Sequence, residues 1–303
     1  MRRSFSALPV LLAAALTLTA CGSQVAGPGS RGGVVSAEPL PRAPSCGGPS
    51  GSATPRPLGE SSDLEKDGVR ITAVRGVCAD FEVTNHEAGP LVYSISFAFL
   101  SATGTALATP KQAVRSVGPG ETVKGTVVAG TASPSNSPRR VRIAKVRSVP
   151  TAEAPAEAGA CPPSGMRIRA DEGDAAMGLR VVGLHLDNCG TATIGLNGYP
   201  RLQILDDRHT VVDGVQVVQG GGAIASGTGA DGTPEPLAVQ PGERARATVV
   251  WRNTVELGVQ DPVNAPYLRV RATPGADPVM VIPELDLGTT GRLGVGPWTA
   301  DRT

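Results

Sequence analysis

Beyond residue 60 the chain reads as short runs in which apolar and polar side chains alternate. In Arg244–Arg252, Ala245, Ala247, Val249 and Trp251 fall on one face, and Arg244, Arg246, Thr248, Val250 and Arg252 on the other. Val141, Ile143 and Val146 interleave with Arg140, Arg142, Lys145 and Arg147, with a slip at Ala144 that a bulge would absorb. A period of two puts successive side chains on opposite faces of a strand, whereas a helix needs a period of 3.6. Such runs recur at about eight to twelve residues, bounded by Gly, Pro, Asn and Asp, the spacing of β-sandwiches. The pattern predicts an all-β protein of two tandem immunoglobulin-like β-sandwich domains. Past residue 60 the Ala170–Met177 stretch alone suggests a turn or two of helix.

The two domains are marked by a repeat. Val117-Gly-Pro-Gly-Glu-Thr-Val-Lys-Gly-Thr-Val-Val128 shares the frame V-x-P-G-E-x-x-[KR]-x-T-V-V with the segment Val239–Val250. Each copy follows a segment ending in asparagine, Asn85 or Asn188. Each half opens with a cysteine ahead of Pro-Ser-Gly, Cys46 and Cys161. A weak break at 150–159 separates them, so the expected domains are 61–149 and 160–303. Gly220–Glu235 is rich in glycine and lacks a core pattern, so it is expected to be mobile.

The N-terminus reads as an address. Arg2 and Arg3 precede an apolar run, Ala7–Ala20, too short to span a bilayer. It ends Leu18-Thr-Ala-Cys21, which resembles a bacterial lipobox; residues 1–20 are then a signal peptide and Cys21 the acylated first residue. The short n-region favours the general secretory route over twin-arginine export. Residues 22–60 hold 16 Gly or Pro in 39 positions and no aromatic residue, the composition of a tether. Cys46, within it, is tied to the first domain. The expected location is the extracellular face of the plasma membrane. Outside the membrane the remaining cysteines should be oxidised. Four cysteines allow three pairings; one pair per half gives Cys46–Cys78 and Cys161–Cys189.

Charge narrows the partners. The chain has 28 basic and 27 acidic residues, which argues against a dedicated nucleic-acid binder. Losing Arg2 and Arg3 leaves 26 basic against 27 acidic, a net charge of −1.

In the second half, Cys161-Pro-Pro-Ser-Gly, Leu186-Asp-Asn-Cys-Gly190, Asn197-Gly-Tyr-Pro-Arg-Leu202, Pro241-Gly-Glu-Arg-Ala, Val250-Trp-Arg-Asn253 and Leu285-Asp-Leu-Gly288 together resemble the DUF4232 domain. That domain of unknown function occurs in actinobacterial lipoproteins and secreted proteins. The resemblance covers roughly residues 160–298 and implies an envelope role without naming a reaction. It departs from the family in its cysteines: many relatives carry one just before the Gly-Tyr-Pro turn, whereas here it lies earlier, at Cys189.

Motifs for chemistry are sparse. There is no G-x-S-x-G and no S-x-x-K. The three histidines, His86, His185 and His209, do not stand at zinc spacing. His185 alternates with Leu184 and Leu186 and is expected to face solvent. Two G-x-G-x-x-G matches, at Gly27 and Gly227, are not followed by a helix that could hold phosphate. Asp171, Glu172 and Asp174, like Asp206 and Asp207, read as polar turns. Tyr199, Trp251 and Trp298 read as core or core-edge residues rather than a sugar platform.

No catalytic residue, metal site or cofactor is therefore expected. The reading is a non-catalytic cell-envelope lipoprotein that binds or scaffolds, membrane-attached through its lipid. Its alternatives are an envelope hydrolase or redox enzyme using Asp206, Asp207 or His209, and a chaperone-like accessory subunit. Arg140, Arg142 and Arg147 in the first half, and Arg269 and Arg271 in the second, form candidate anion-binding faces for an anionic envelope polymer. An envelope protein is the other candidate partner.

Overall fold

The computed structural model describes Cys46 and residues 61–301, apart from 131–137, 157–158 and 259–260. The expected signal peptide, Cys21 and nearly all of the expected tether lie outside the described residues. Residues 43–303 make one compact unit.

Its regular secondary structure is almost entirely strand. After one helical turn at Ser61–Leu64 come β1 (Glu65–Lys66), β2 (Val69–Arg75), β3 (Cys78–Thr84), β4 (Leu91–Leu100), β5 (Ala106–Ala108), β6 (Lys111–Val117), β7 (Thr122–Val128) and β8 (Arg140–Pro150). One sheet has the order β1-β2-β3-β7; in the other β4 is flanked by β8 on one edge and by β5 and β6 on the other. Alternate residues of β4, among them Tyr93, Ile95, Phe97 and Phe99, meet Phe81 and Val83 of β3 in a buried core. The rings of Phe81 and Phe97 stack at a tilt, 5.0 Å apart. Pairing of β4 with β8 runs from Ser96↔Lys145 to Phe97↔Ile143, so Ala144 is the extra residue of a bulge. The bulge restores alternation: Val141, Ile143 and Val146 are buried, while Arg140, Arg142 and Lys145 are exposed.

The second segment adds β9 (Met166–Ala170), β10 (Asp174–Ala176), β11 (Leu179–Asn188), β12 (Ile194–Leu196), β13 (Arg201–Leu205), β14 (Gln216–Gln219), β15 (Leu237–Val239), β16 (Arg244–Arg252), β17 (Val263–Ala265), β18 (Tyr267–Arg271), β19 (Val279–Val281), β20 (Leu285–Gly288), β21 (Arg292–Val295) and β22 (Thr299–Ala300). Its main sheet runs β10-β11-β16-β21-β14, with β9 on β11 and β22 on β16; β13-β18-β19 and two strand pairs, β12-β15 and β17-β20, complete it. Its core gathers Leu184, Leu186, Ala247, Trp251, Leu268 and Trp298. Trp251 and Trp298 are buried with their indole N–H groups donating to Asp286 Oδ1 (2.9 Å) and the Ala272 carbonyl (2.9 Å). Tyr199 packs half-buried against the same core.

The repeat is structural. Asn85 and Asn188 are buried after equivalent strands, and the following strands pair in the same register: Thr84↔Thr122 and Asp187↔Arg244, Phe81↔Gly125 and Leu184↔Ala247. The disulfides Cys46–Cys78 and Cys161–Cys189 are both present, one in each half. They are not equivalent within the repeat. Cys78 opens β3, whereas Cys189 follows the end of β11.

Two expectations are corrected. Ala170–Met177 forms no helix: Gly173 and the Met177-Gly178 pair take positive φ and fold Asp174–Ala176 back on β11 as a hairpin. The Gly220–Glu235 loop is partly packed. Ala230 is fully buried, and the Gly221 amide donates to the Ala230 carbonyl at 2.9 Å. A Cβ on Gly221 would stand 2.5 Å from the Ala230 Cβ and 2.9 Å from Val250 Cγ1. Glycine at 221 permits a close backbone approach, and the loop covers Val250 on the outer face of β16.

Candidate functional site

The site builds from the end of β8. After the Ala144 bulge, β8 carries Arg147, Ser148 and Val149 to the second segment. Val149 joins Leu205, Tyr267 and Met280 in a small buried cluster drawn from both segments. Around it lies a polar ring. Arg147 Nε and Nη2 donate to the two carboxylate oxygens of Glu284, each at 2.9 Å, and Nη1 donates to Asp207 at 3.0 Å. Lys145 reaches Glu284 at 3.2 Å. The Ser148 amide donates to the Tyr267 hydroxyl at 3.0 Å, and His209 Nε2 donates to the Ser148 carbonyl at 2.7 Å. Since a carbonyl can only accept, that nitrogen carries the proton. His209 also meets Tyr267 edge-on, 4.8 Å between centroids. Farther along, Arg269 donates to Glu153 at 2.6 Å.

Two of these residues adopt a backbone form that side chains disfavour. His209 has φ 60° and Glu284 φ 55°. His209 closes a tight turn in which Asp206 Oδ1 accepts the Arg208 and Thr210 amides. Left-handed backbone at a non-glycine residue persists where surrounding contacts over-determine it, and here both residues clasp the junction.

Electrostatics follow from the geometry. Burial works against the Glu284 carboxylate, but the hydrogen bonds and charges of Arg147 and then Lys145 outweigh it and hold its pKa below the usual range. Burial likewise opposes the Arg147 charge, and Glu284, then Asp207, more than restore it, so its pKa is raised. Burial pushes Tyr267 up, ahead of the opposing bonds from Ser148 and the Arg147 charge. Burial, then the charge of Glu87, pushes Tyr93 up.

Beside the junction opens a cleft of about 640 Å³, lined among others by Lys66, His86, Glu87, Tyr93, Arg147 and Asp207. Its walls carry both signs of charge, and its tyrosine rings are buried rather than presented. Among the described residues no cluster of His, Cys, Asp or Glu could hold a metal ion.

The predicted site residues separate on this frame. Arg147 and Arg269 bind acidic partners at the junction, and Arg271 donates to the Ala276 carbonyl at 2.5 Å. Arg140 and Arg142 stand exposed on β8. The arginines therefore do not form one face. Asp206, Asp207 and His209 are spent on the turn and the junction.

His185 is the residue that sequence reasoning misplaced. Its side chain is 13% exposed, with Nε2 3.2 Å from Asp171 Oδ2 and Nδ1 3.0 Å from Asp301 Oδ2. Asp171 Oδ1 also accepts the Gly183 amide, so the turn aspartate positions the ring. No periodicity could reveal Asp301, which lies 116 residues away. A second polar hub lies at Asp286, which receives Trp251, Asn253 and Arg180. Burial opposes its charge, and these bonds outweigh burial and lower its pKa.

Residues 161–299 match the model of DUF4232, a domain of unknown function. No curated protein matches the chain.

Proposed function

We propose, from the premise that residues 161–299 belong to the DUF4232 family, that this protein is a non-catalytic cell-envelope lipoprotein. In this reading two tandem immunoglobulin-like sandwiches, lipid-anchored at Cys21 by a tether, act as a binding or scaffolding module. Both disulfides suit an oxidising, exported setting. No helix among the described residues is long and apolar enough to cross a membrane, and an acylated Cys21 would supply the attachment.

The junction is the observation that carries the non-catalytic reading. Asp206, Asp207 and His209 are the residues that a hydrolase would recruit, and they instead hold a turn, pair with Arg147 and bond a backbone carbonyl. A clasped pair of sandwiches offers a rigid platform.

The test has two arms. Metabolic palmitate labelling and membrane fractionation should show wild-type protein labelled and membrane-bound, and Cys21→Ser unlabelled and released. Unchanged labelling of Cys21→Ser would sink the anchor. Purified protein should give no turnover in a broad hydrolase screen; turnover abolished by His209→Ala or Asp207→Ala would replace this reading with an enzyme.

A further inference from the structure

The two sheets of the first segment are charged differently. In β1-β2-β3-β7 the charges offset one another across strands: Arg70 pairs with Glu82, and Arg75 with Asp80 at 2.6 Å. The other sheet, β4, β5, β6 and β8, contains no Asp or Glu in any strand, but it holds Lys111, Arg115, Arg140, Arg142, Lys145 and Arg147. Glu284 from the second segment answers two of these, Lys145 and Arg147.

Register shows how the rest are arranged. The outward residues of β4 are small for most of its length: Ser94, Ser96 and Ala98. Ser96 lies between Lys145 on β8 and Lys111 on β6, and Ala98 opposite Arg142. Adjacent strands are about 4.8 Å apart, so Lys111 and Lys145 flank a shallow channel about 10 Å wide at the backbone. Arg140 and Arg142 continue its rim two positions apart, about 6.7 Å along the strand. Lys111, Arg140 and Arg142 are exposed, and Lys145 is ion-paired with Glu284.

Edge protection accounts for charge on the two edge strands, β6 and β8. It does not require that charge to be all of one sign, and the sister sheet pairs its charges whereas these strands carry no acidic residue. Among the described residues the large exposed hydrophobic side chains, Met177, Val211, Val255 and Leu257, all belong to the second segment and none to this sheet face.

We infer that this sheet face binds a linear phosphodiester polymer lying along β4, its charges met by Lys111, Arg140 and Arg142. A phosphodiester chain carries a negative charge at every linkage, which suits cations two strand positions apart, and guanidinium forks bind phosphate oxygens in pairs. The serine hydroxyls of the channel floor add neutral donors. The inference rests on the exported binding module proposed above and names its ligand class.

The experiment measures binding of the full chain carrying Cys21→Ser to poly(glycerol phosphate) across a salt series. Polyglutamate, phosphatidylglycerol vesicles and neutral dextran serve as comparisons. Three phosphate contacts should weaken binding about fortyfold for a fourfold rise in salt, by counterion release. Combined Lys111→Glu, Arg140→Glu and Arg142→Glu should abolish it. The Gln versions should weaken it, and Lys124→Glu with Arg201→Glu, on other sheets, should leave it unchanged. No binding at low salt, or equal loss in the control, overturns the face. Polyglutamate bound as tightly, or capture by the vesicles, overturns the phosphodiester ligand. Either failure is distinct from failure of the envelope reading, which fractionation of the wild type decides without any polymer.

Discussion

Asn188 repeats the environment of Asn85 atom for atom. The Asn85 side chain donates to the Gly89 and Val117 carbonyls, both at 2.8 Å, and accepts the Glu87 amide. Asn188 donates to the Ala192 and Val239 carbonyls, both at 2.8 Å, and accepts the Gly190 amide. Backbone bonds to the Pro-Gly-Glu turn match as well: Asn85 with Gly120 and Glu121, Asn188 with Gly242 and Glu243. Within each turn the glutamate caps the chain, Glu121 on the Gly118 amide and Glu243 on the Gln240 amide. The repeated letters therefore encode a repeated corner that satisfies buried backbone groups.

This equivalence makes a prediction. Asn85→Ala and Asn188→Ala should each destabilise by about 2–4 kcal/mol, since each strands two carbonyls and an amide. Asn→Asp should cost at least as much, because a carboxylate cannot donate to a carbonyl. Urea denaturation of the four variants checks both statements; an Asp variant as stable as wild type would mean the donor bonds contribute little.

Volume is traded across the equivalent pairs Phe81–Gly125 and Leu184–Ala247. A Cβ on Gly125 would stand 2.5 Å from the tip of the Phe81 ring. Gly125→Ala should therefore cost about 1–3 kcal/mol by overpacking, and combination with Phe81→Leu should recover part of it. Thermal melts of the double-mutant cycle read the coupling.

The junction should respond to acid. Glu284 has a folded-state pKa below its unfolded value, so its contribution is fully present above about pH 4.3 and is lost as pH falls through the folded value. Glu284→Gln should cost about 1 kcal/mol at pH 7, a third of the side chain being solvent-exposed. The gap between variant and wild type should close below pH 4. A gap independent of pH between 7 and 3 would place the effect in packing rather than charge.

Each disulfide closes a loop of similar size, with sequence separations of 32 and 28. On the chain-entropy account each stabilises by about 3.6 kcal/mol. Cys161→Ser with Cys189→Ser should lower stability by up to that amount, measured by denaturant titration, and peptide mapping without reductant should recover the two native pairs and no Cys78–Cys161 peptide.

The packed glycine loop makes the last prediction. Gly221→Val should destabilise the second segment, because its side chain would collide with Ala230 and Val250. Amide exchange at Gly221, Ile224 and Ala225, whose N–H groups are hydrogen-bonded, should be slower than at the exposed 232–236 stretch.

What the sequence determined by itself is what local chemistry encodes. Alternation of period two marked the strands and their buried faces, and a single slip located the Ala144 bulge, because a strand's facing is set residue by residue. The Pro-Gly-Glu frame and its upstream asparagine announced the repeated corner, and one cysteine pair per half matched the bridges. Tertiary structure alone decided which charges are spent and which stand open. Arg147 and Arg142 look alike in sequence, on one strand with outward faces. They part because Glu284, 137 residues downstream, reaches the first but not the second. His185 was indistinguishable from a surface residue until Asp171 and Asp301 closed on it. Pairing of charges across the packed halves depends on where one sheet lies against another, and no periodic signal along the chain carries that distance.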